Sequence, residues 1–114
     1  GLEAFRGALS DAIDMAGLAG ADDLDLLELD CQTAWHALAY EAALDNELPP
    51  LTVSGGAFAQ NPYFCNGLVG AAEAVLQVSG RAGPIQIAGA RLAGAHGSHG
   101  FAQQAHVAAI FEGV

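Results

Sequence analysis

Apolar residues Leu2, Phe5, Leu9, Ile13 and Ala16 recur at steps of three and four, with Arg6, Ser10, Asp11 and Asp14 between them. That period predicts an amphipathic helix over 2–16, stopped by Gly17 and Gly20. Asp22, Asp23 and Asp25 then lead into an apolar run, 26–29, whose length and flanks predict a buried strand. Alanine and leucine dominate 33–44, where Thr33 is placed to cap a second helix that the pair Pro49 and Pro50 ends. Leu51, Thr52 and Val53 read as a second short strand, followed by Ser54, Gly55 and Gly56 and a loop to about Phe64.

Asn66 is placed to cap a third helix, which carries Leu68, Ala71, Ala72, Val75 and Val78 on one side and closes at Gly80. After a turn at 81–84, two β-like segments, 86–95 and 106–111, are joined by the glycine- and histidine-containing stretch 96–100. The order α-β-α-β-α-β-β predicts a single α/β domain over 1–114, with a mixed, mainly parallel sheet and a final antiparallel pair. A three-layer unit of this type normally opens with a strand, and here Gly1 leads into a helix. The first strand is therefore expected to be missing, and the chain is expected to need a neighbour to fold or act.

A hydrophobic fraction of 53% over 114 residues is ample for a core. Thirteen acidic residues against three arginines and no lysine give a formal charge of -10, which repels nucleic acid phosphates and anionic lipid. No apolar run approaches the roughly 20 residues needed to span a bilayer, and the start lacks the pattern of a signal peptide. A cytoplasmic protein with neither nucleic acid nor membrane as partner is expected. Cys31 and Cys65 lie in separate segments without metal-ligand spacing, so both read as free thiols.

Four stretches taken in order resemble the thiolase superfamily, specifically the carboxy-terminal domain of its sterol-carrier-type and lipid-transfer-type members. Residues 21–29, followed by Asp30 and Cys31, resemble a "DIDLVEL" strand and its "HDCF" continuation. The run 51–56 is similar to "LTVTGG". Asn61 and Pro62, then Gly67 and the helix to 81–83, stand in the place of "GHPLGATG…QLRGEAG", and 90–97 resembles "GARLALVHGNGG". The resemblance spans nearly the whole chain and implies a thiolase-like half that lacks its first strand.

The family's catalytic groups are only partly matched. Asn61 stands where the "GHP" histidine would be; asparagine donates a hydrogen bond, suiting it to orient an oxyanion, but cannot act as a general base. No cysteine occupies the late "CxG" position; the stretch 96–100 is closer to "HGNGG", with His99 replacing a glycine. His96 is thus the first proton-transfer candidate and His99 the second, against the plain alternative of a hydrogen-bonded structural histidine. His36 and His106 read as structural, and His96, His99 and His106 lack the carboxylate or thiolate that would complete a metal set. Gly55 and Gly56 are candidates to let the backbone approach a thioester; Tyr63, with Phe64, to line an acyl tunnel or fill core. Cys31 occupies a family position beside the cleft and is a candidate substrate contact, or a small buried apolar residue. Cys65 reads as a packing residue.

The resemblance implies acyl-CoA processing: carbon–carbon cleavage or formation alpha to a thioester, by Claisen, retro-Claisen or retro-aldol chemistry. Its nucleophile would come from a thiolase amino-terminal half or subunit, with no cofactor beyond the CoA thioester substrate. The alternative is a non-catalytic subunit that binds acyl-CoA or scaffolds a catalytic partner. A homo- or hetero-oligomer is implied, with a small OB-like protein as a further partner.

Overall fold

Helix α1 (Leu2–Met15) realises the first period, burying Phe5, Leu9 and Ile13. Strand β1 (Leu26–Glu28) is buried at every position. Helix α2 (Ala34–Ala43) opens on Thr33, whose side-chain oxygen accepts the His36 amide at 3.3 Å, as the sequence predicts. The structure, a computed structural model, describes residues 1–45 and 48–114. Helix α3 (Gly56–Gln60) and helix α4 (Asn66–Val78) precede the hairpin of β2 (Leu92–His99) and β3 (Ala105–Glu112).

Among the described residues the sheet runs β1-β2-β3, with β1 parallel to β2 and β2 antiparallel to β3. In register Leu26 stands opposite Ala93, Leu27 opposite Gly94 and Glu28 opposite Ala95, while His96 faces Ala108 across the hairpin. Successive side chains point to opposite faces, which sorts the core in two. Leu27 and Leu29 join Phe5, Leu9, Ile13 and Tyr40 beneath α1 and α2. Leu26, Ala93 and Ala95 join Ala74 beneath α4. Phe5, Leu26 and Leu27 are fully buried, each contributing about 2–3 kcal/mol of apolar burial. Gly94 leaves the space that the Leu27 side chain fills, since a Cβ there would come 2.7 Å from Leu27 Cδ1.

Three elements differ from the sequence reading. The predicted strand 51–53 is reduced to a parallel bridge between Leu51 and Leu27. Thr52 turns left-handed at φ 47, so the extended run ends, and its Oγ1 accepts the Leu29 amide at 3.3 Å instead. The loop expected over 54–64 contains α3 and a 3-10 turn at Tyr63–Cys65.

The strand expected over 86–95 begins only at Leu92, because buried Gln77 of α4 captures the preceding backbone. Its Nε2 donates to the Ile85 carbonyl and its Oε1 accepts the Ile87 amide, both at 2.8 Å. Asp25 then starts the strand, its Oδ2 accepting the Arg91 and Leu92 amides at 2.7 and 2.9 Å. At the far end β2 continues through His99, so His96 lies inside a strand and not in a connecting loop.

Candidate functional site

The chain leaves β1 into Asp30, a buried carboxylate that gathers three segments. Its Oδ1 accepts from Asn66 Nδ2 at 2.5 Å, and its Oδ2 accepts the Ser98 amide at 2.9 Å and the Ser98 hydroxyl at 3.0 Å. Asn66 therefore does not cap α4, whose N-cap is Cys65 with no side-chain bond to the helix amides; the Asn66 amide is spent on Asp30. Gly67 lets α4 lie against β2 here, since a Cβ on it would come 3.0 Å from Gly97 Cα.

His96 is 1% exposed and boxed by aromatic rings, with centroids of Phe5 and Tyr40 each 4.9 Å away and edge-on. Its Nδ1 accepts the Asp30 amide at 3.3 Å, so that nitrogen carries no proton. The remaining Nε2–H donates to His106 Nδ1 at 2.9 Å, and His106 Nε2–H donates to the Gln103 carbonyl at 2.8 Å. Both rings are thereby held neutral in the Nε2–H tautomer, stacked with centroids 5.2 Å apart. Burial pushes His96 down to about 4, the neighbouring His106 adds to the fall, and Asp30 opposes it. Burial also lowers His106.

A cavity of about 680 Å³ opens between the first turns of α4 and the β2–β3 hairpin. Asp30, His96, Ser98, His99 and His106 supply its polar part; Leu68, Ala71, Ala95, Val107 and Ala109 supply apolar wall. Phe64 and Cys65, both exposed, belong to its rim.

Of the sequence candidates, His96 and His99 line this cavity. Asn61 and Tyr63 line a separate hollow of about 530 Å³ with Phe58 and Pro62, and Phe64 borders both. Gly55 and Gly56 form a turn at φ 81 and 53 that Glu28 anchors, its carboxylate accepting from the Ser54 amide and hydroxyl at 3.0 and 2.7 Å. A Cβ at Gly56 would come 2.9 Å from Thr52 Cγ2, so that turn requires glycine. Cys31 is buried in the core beneath α1 and α2, and burial, then Asp30 and Glu28, push its thiol up to about 12. The sequence reading missed Asp30, Asn66 and Ser98, and set His106 aside as structural, although it pairs directly with His96.

The profile of a family described as thiolase C-terminal domain-like matches residues 2–112. The chain belongs to that family. No curated protein sequence matches it closely enough to count as a relative. In this thiolase-like domain the late histidine motif is thus part of β2, and His96 enters a neutral histidine pair in place of an isolated base. What the arrangement can do is enclose an apolar group and present hydroxyl and imidazole groups to its polar end.

Proposed function

We propose that the domain binds the acyl part of a CoA thioester in the cavity between α4 and the β2–β3 hairpin and takes part in carbon–carbon bond chemistry alpha to that thioester. The observation that carries this reading is the cavity itself: about 680 Å³, mostly alkyl-lined, with His96, Ser98 and His106 at its polar part, in a thiolase-like domain. The nucleophile and the groups that hold the CoA phosphates belong to a thiolase amino-terminal half or subunit. Consistent with that division, none of the three arginines lines the cavity, and the chain's charge of -10 opposes a free polyphosphate.

Exposed apolar residues on α4 and β3 support a partner contact. Leu68 and Val75 are exposed on α4 with Ala72 between them, and Val107 is exposed on β3. A contiguous apolar stripe of this kind is typical of a protein contact. Among the described residues β3, eight residues long, forms an edge of the sheet, the place where a further strand of the sort the family resemblance implies would pair. A homo- or hetero-oligomer, an OB-like partner and a sterol-carrier type of substrate remain part of this proposal.

Within it, the His96–His106 pair handles protons and His99 is second. A second reading, the non-catalytic subunit, is favoured by one observation: every ring nitrogen of the pair already has a hydrogen-bond partner. Incubating the intact protein, together with its amino-terminal half or subunit and free CoA as acyl acceptor, with 3-oxo- and 3-hydroxyacyl-CoA thioesters, measuring binding and identifying products by mass, decides between them. Shortened CoA thioesters that vanish in His96→Phe support the enzyme. Saturable binding without turnover supports the subunit, and absence of binding removes both.

A further inference from the structure

The hydrogen bonds around His96 and His106 admit only one proton count. Two imidazoles hold four nitrogens; when neutral they offer two N–H groups and two lone pairs. The Asp30 amide takes one lone pair, at His96 Nδ1, and the Gln103 carbonyl takes one N–H, at His106 Nε2. The contact between the rings uses the remaining N–H and the remaining lone pair. An added proton leaves one lone pair where two are needed, so either the Asp30 amide or the partner ring meets a donor.

We infer that the two stacked rings form an acid-released latch that holds the β2–β3 turn, residues 100–104, at the end of the strands that wall the cavity. His96, enclosed by Phe5 and Tyr40, has nowhere to move; His106 is only partly buried and is the ring that leaves. Its departure removes one of two donors to the Gln103 carbonyl, the other being the Gly1 nitrogen at 3.1 Å, and so loosens a strained turn. Ala102 and Gln103 both stand at left-handed φ values, 52 and 51, without being glycine. The turn is tied to α2 separately by the Gln103 side chain, whose Oε1 accepts from Tyr40 Oη at 2.7 Å and whose Nε2 lies 3.4 Å from His36 Nδ1.

The groups facing the pair from each neighbouring element agree with this direction. From α1 comes the Phe5 ring, and from the residue before it the Gly1 nitrogen, which donates to the Gln103 carbonyl at 3.1 Å. From α2 comes the Tyr40 phenol, which burial keeps protonated, and beside it the protonated thiol of Cys31. Among the described residues Asp30 is the anion that favours a charged ring, and its oxygens are committed to Asn66 and Ser98. The latch follows from this geometry and stands whether or not the domain processes acyl-CoA.

Nitrogen-15 NMR of the intact protein, with amide exchange followed at Gln103, tests it. Gln103 donates its amide to the Gly100 carbonyl at 3.1 Å and so reports the turn's integrity. Near neutral pH both rings are expected to show protonated Nε2 and bare Nδ1. Below the ordinary imidazole value of 6.5, Gln103 exchange corrected for its intrinsic rate is expected to rise about tenfold or more relative to Ala93, in step with His106 protonation. His106→Gln, whose amide oxygen can accept from His96, is expected to keep the turn docked over the same range. Tyr40→Phe is expected to speed Gln103 exchange already at neutral pH. Unchanged Gln103 exchange on acidification, an acid release that persists in His106→Gln, or a different pair of tautomers in the wild type would each overturn the latch; the last reading needs no variant to fold.

Discussion

Asn66 Nδ2 lies 2.5 Å from Asp30 Oδ1, joining the first residue of α4 to the chain just beyond β1 across 36 positions. Both side chains are buried, so the bond cannot be replaced by bulk water. Asn66→Ala leaves a carboxylate oxygen without that donor and is expected to cost about 1–3 kcal/mol, read as a lower urea midpoint with unchanged slope. Asn66→Asp sets two carboxylates together and is expected to cost more than Asn66→Ala.

Gly67 and Gly97 bring α4 and β2 into backbone contact beside the cavity. A methyl group on Gly67 meets the Cα of Gly97, and no flexible side chain is there to give way. Gly67→Ala is expected to displace α4, destabilise by about 1–3 kcal/mol and weaken acyl-CoA binding together. Gly7→Ala on α1, where an added Cβ meets nothing within 4 Å, is the matched control, expected to be neutral or stabilising by up to about 1 kcal/mol.

The histidine pair sets a pH dependence with a definite sign. Both values are depressed on folding, so the unfolded chain binds protons more readily, and stability rises with pH across the interval between them. The contribution is fully present above the unfolded value of 6.5 and is lost as pH falls towards about 4, where His96 titrates in the folded protein. Melting temperature is expected to drop over that window in the wild type. A His96→Phe, His106→Phe double variant, if it folds, is expected to flatten this part of the curve, leaving the carboxylates to act at lower pH.

The three longer helices are legible in this sequence because their burial is local: Phe5, Leu9 and Ile13 announce α1 by spacing alone, and Thr33 announces the start of α2, whereas the five-residue α3 carries no such period. The strands were less legible where a distant side chain overrides local preference. Gln77 holds residues 85–87 out of the sheet, and Thr52 closes the predicted strand after one bridge. The site was half legible. His96 and His99 stood out by residue type, but the residues that define His96's state lie 66 positions away at Asp30 and 10 positions away at His106. Asn66 carried a misleading signal, since a polar residue before an apolar helical run reads as a cap until its buried acceptor is known. Asn61, paired with His96 by motif order, lines a different hollow.

The central claim is that the cavity between α4 and the hairpin receives an acyl chain. Photolabelling the intact protein with an acyl-CoA bearing a diazirine at the chain end, followed by peptide mapping, tests it most directly. The account predicts label on the peptides carrying Leu68 and 107–109, displaced by unlabelled acyl-CoA. Label concentrated at 58–63, or label that unlabelled acyl-CoA does not displace, would contradict it.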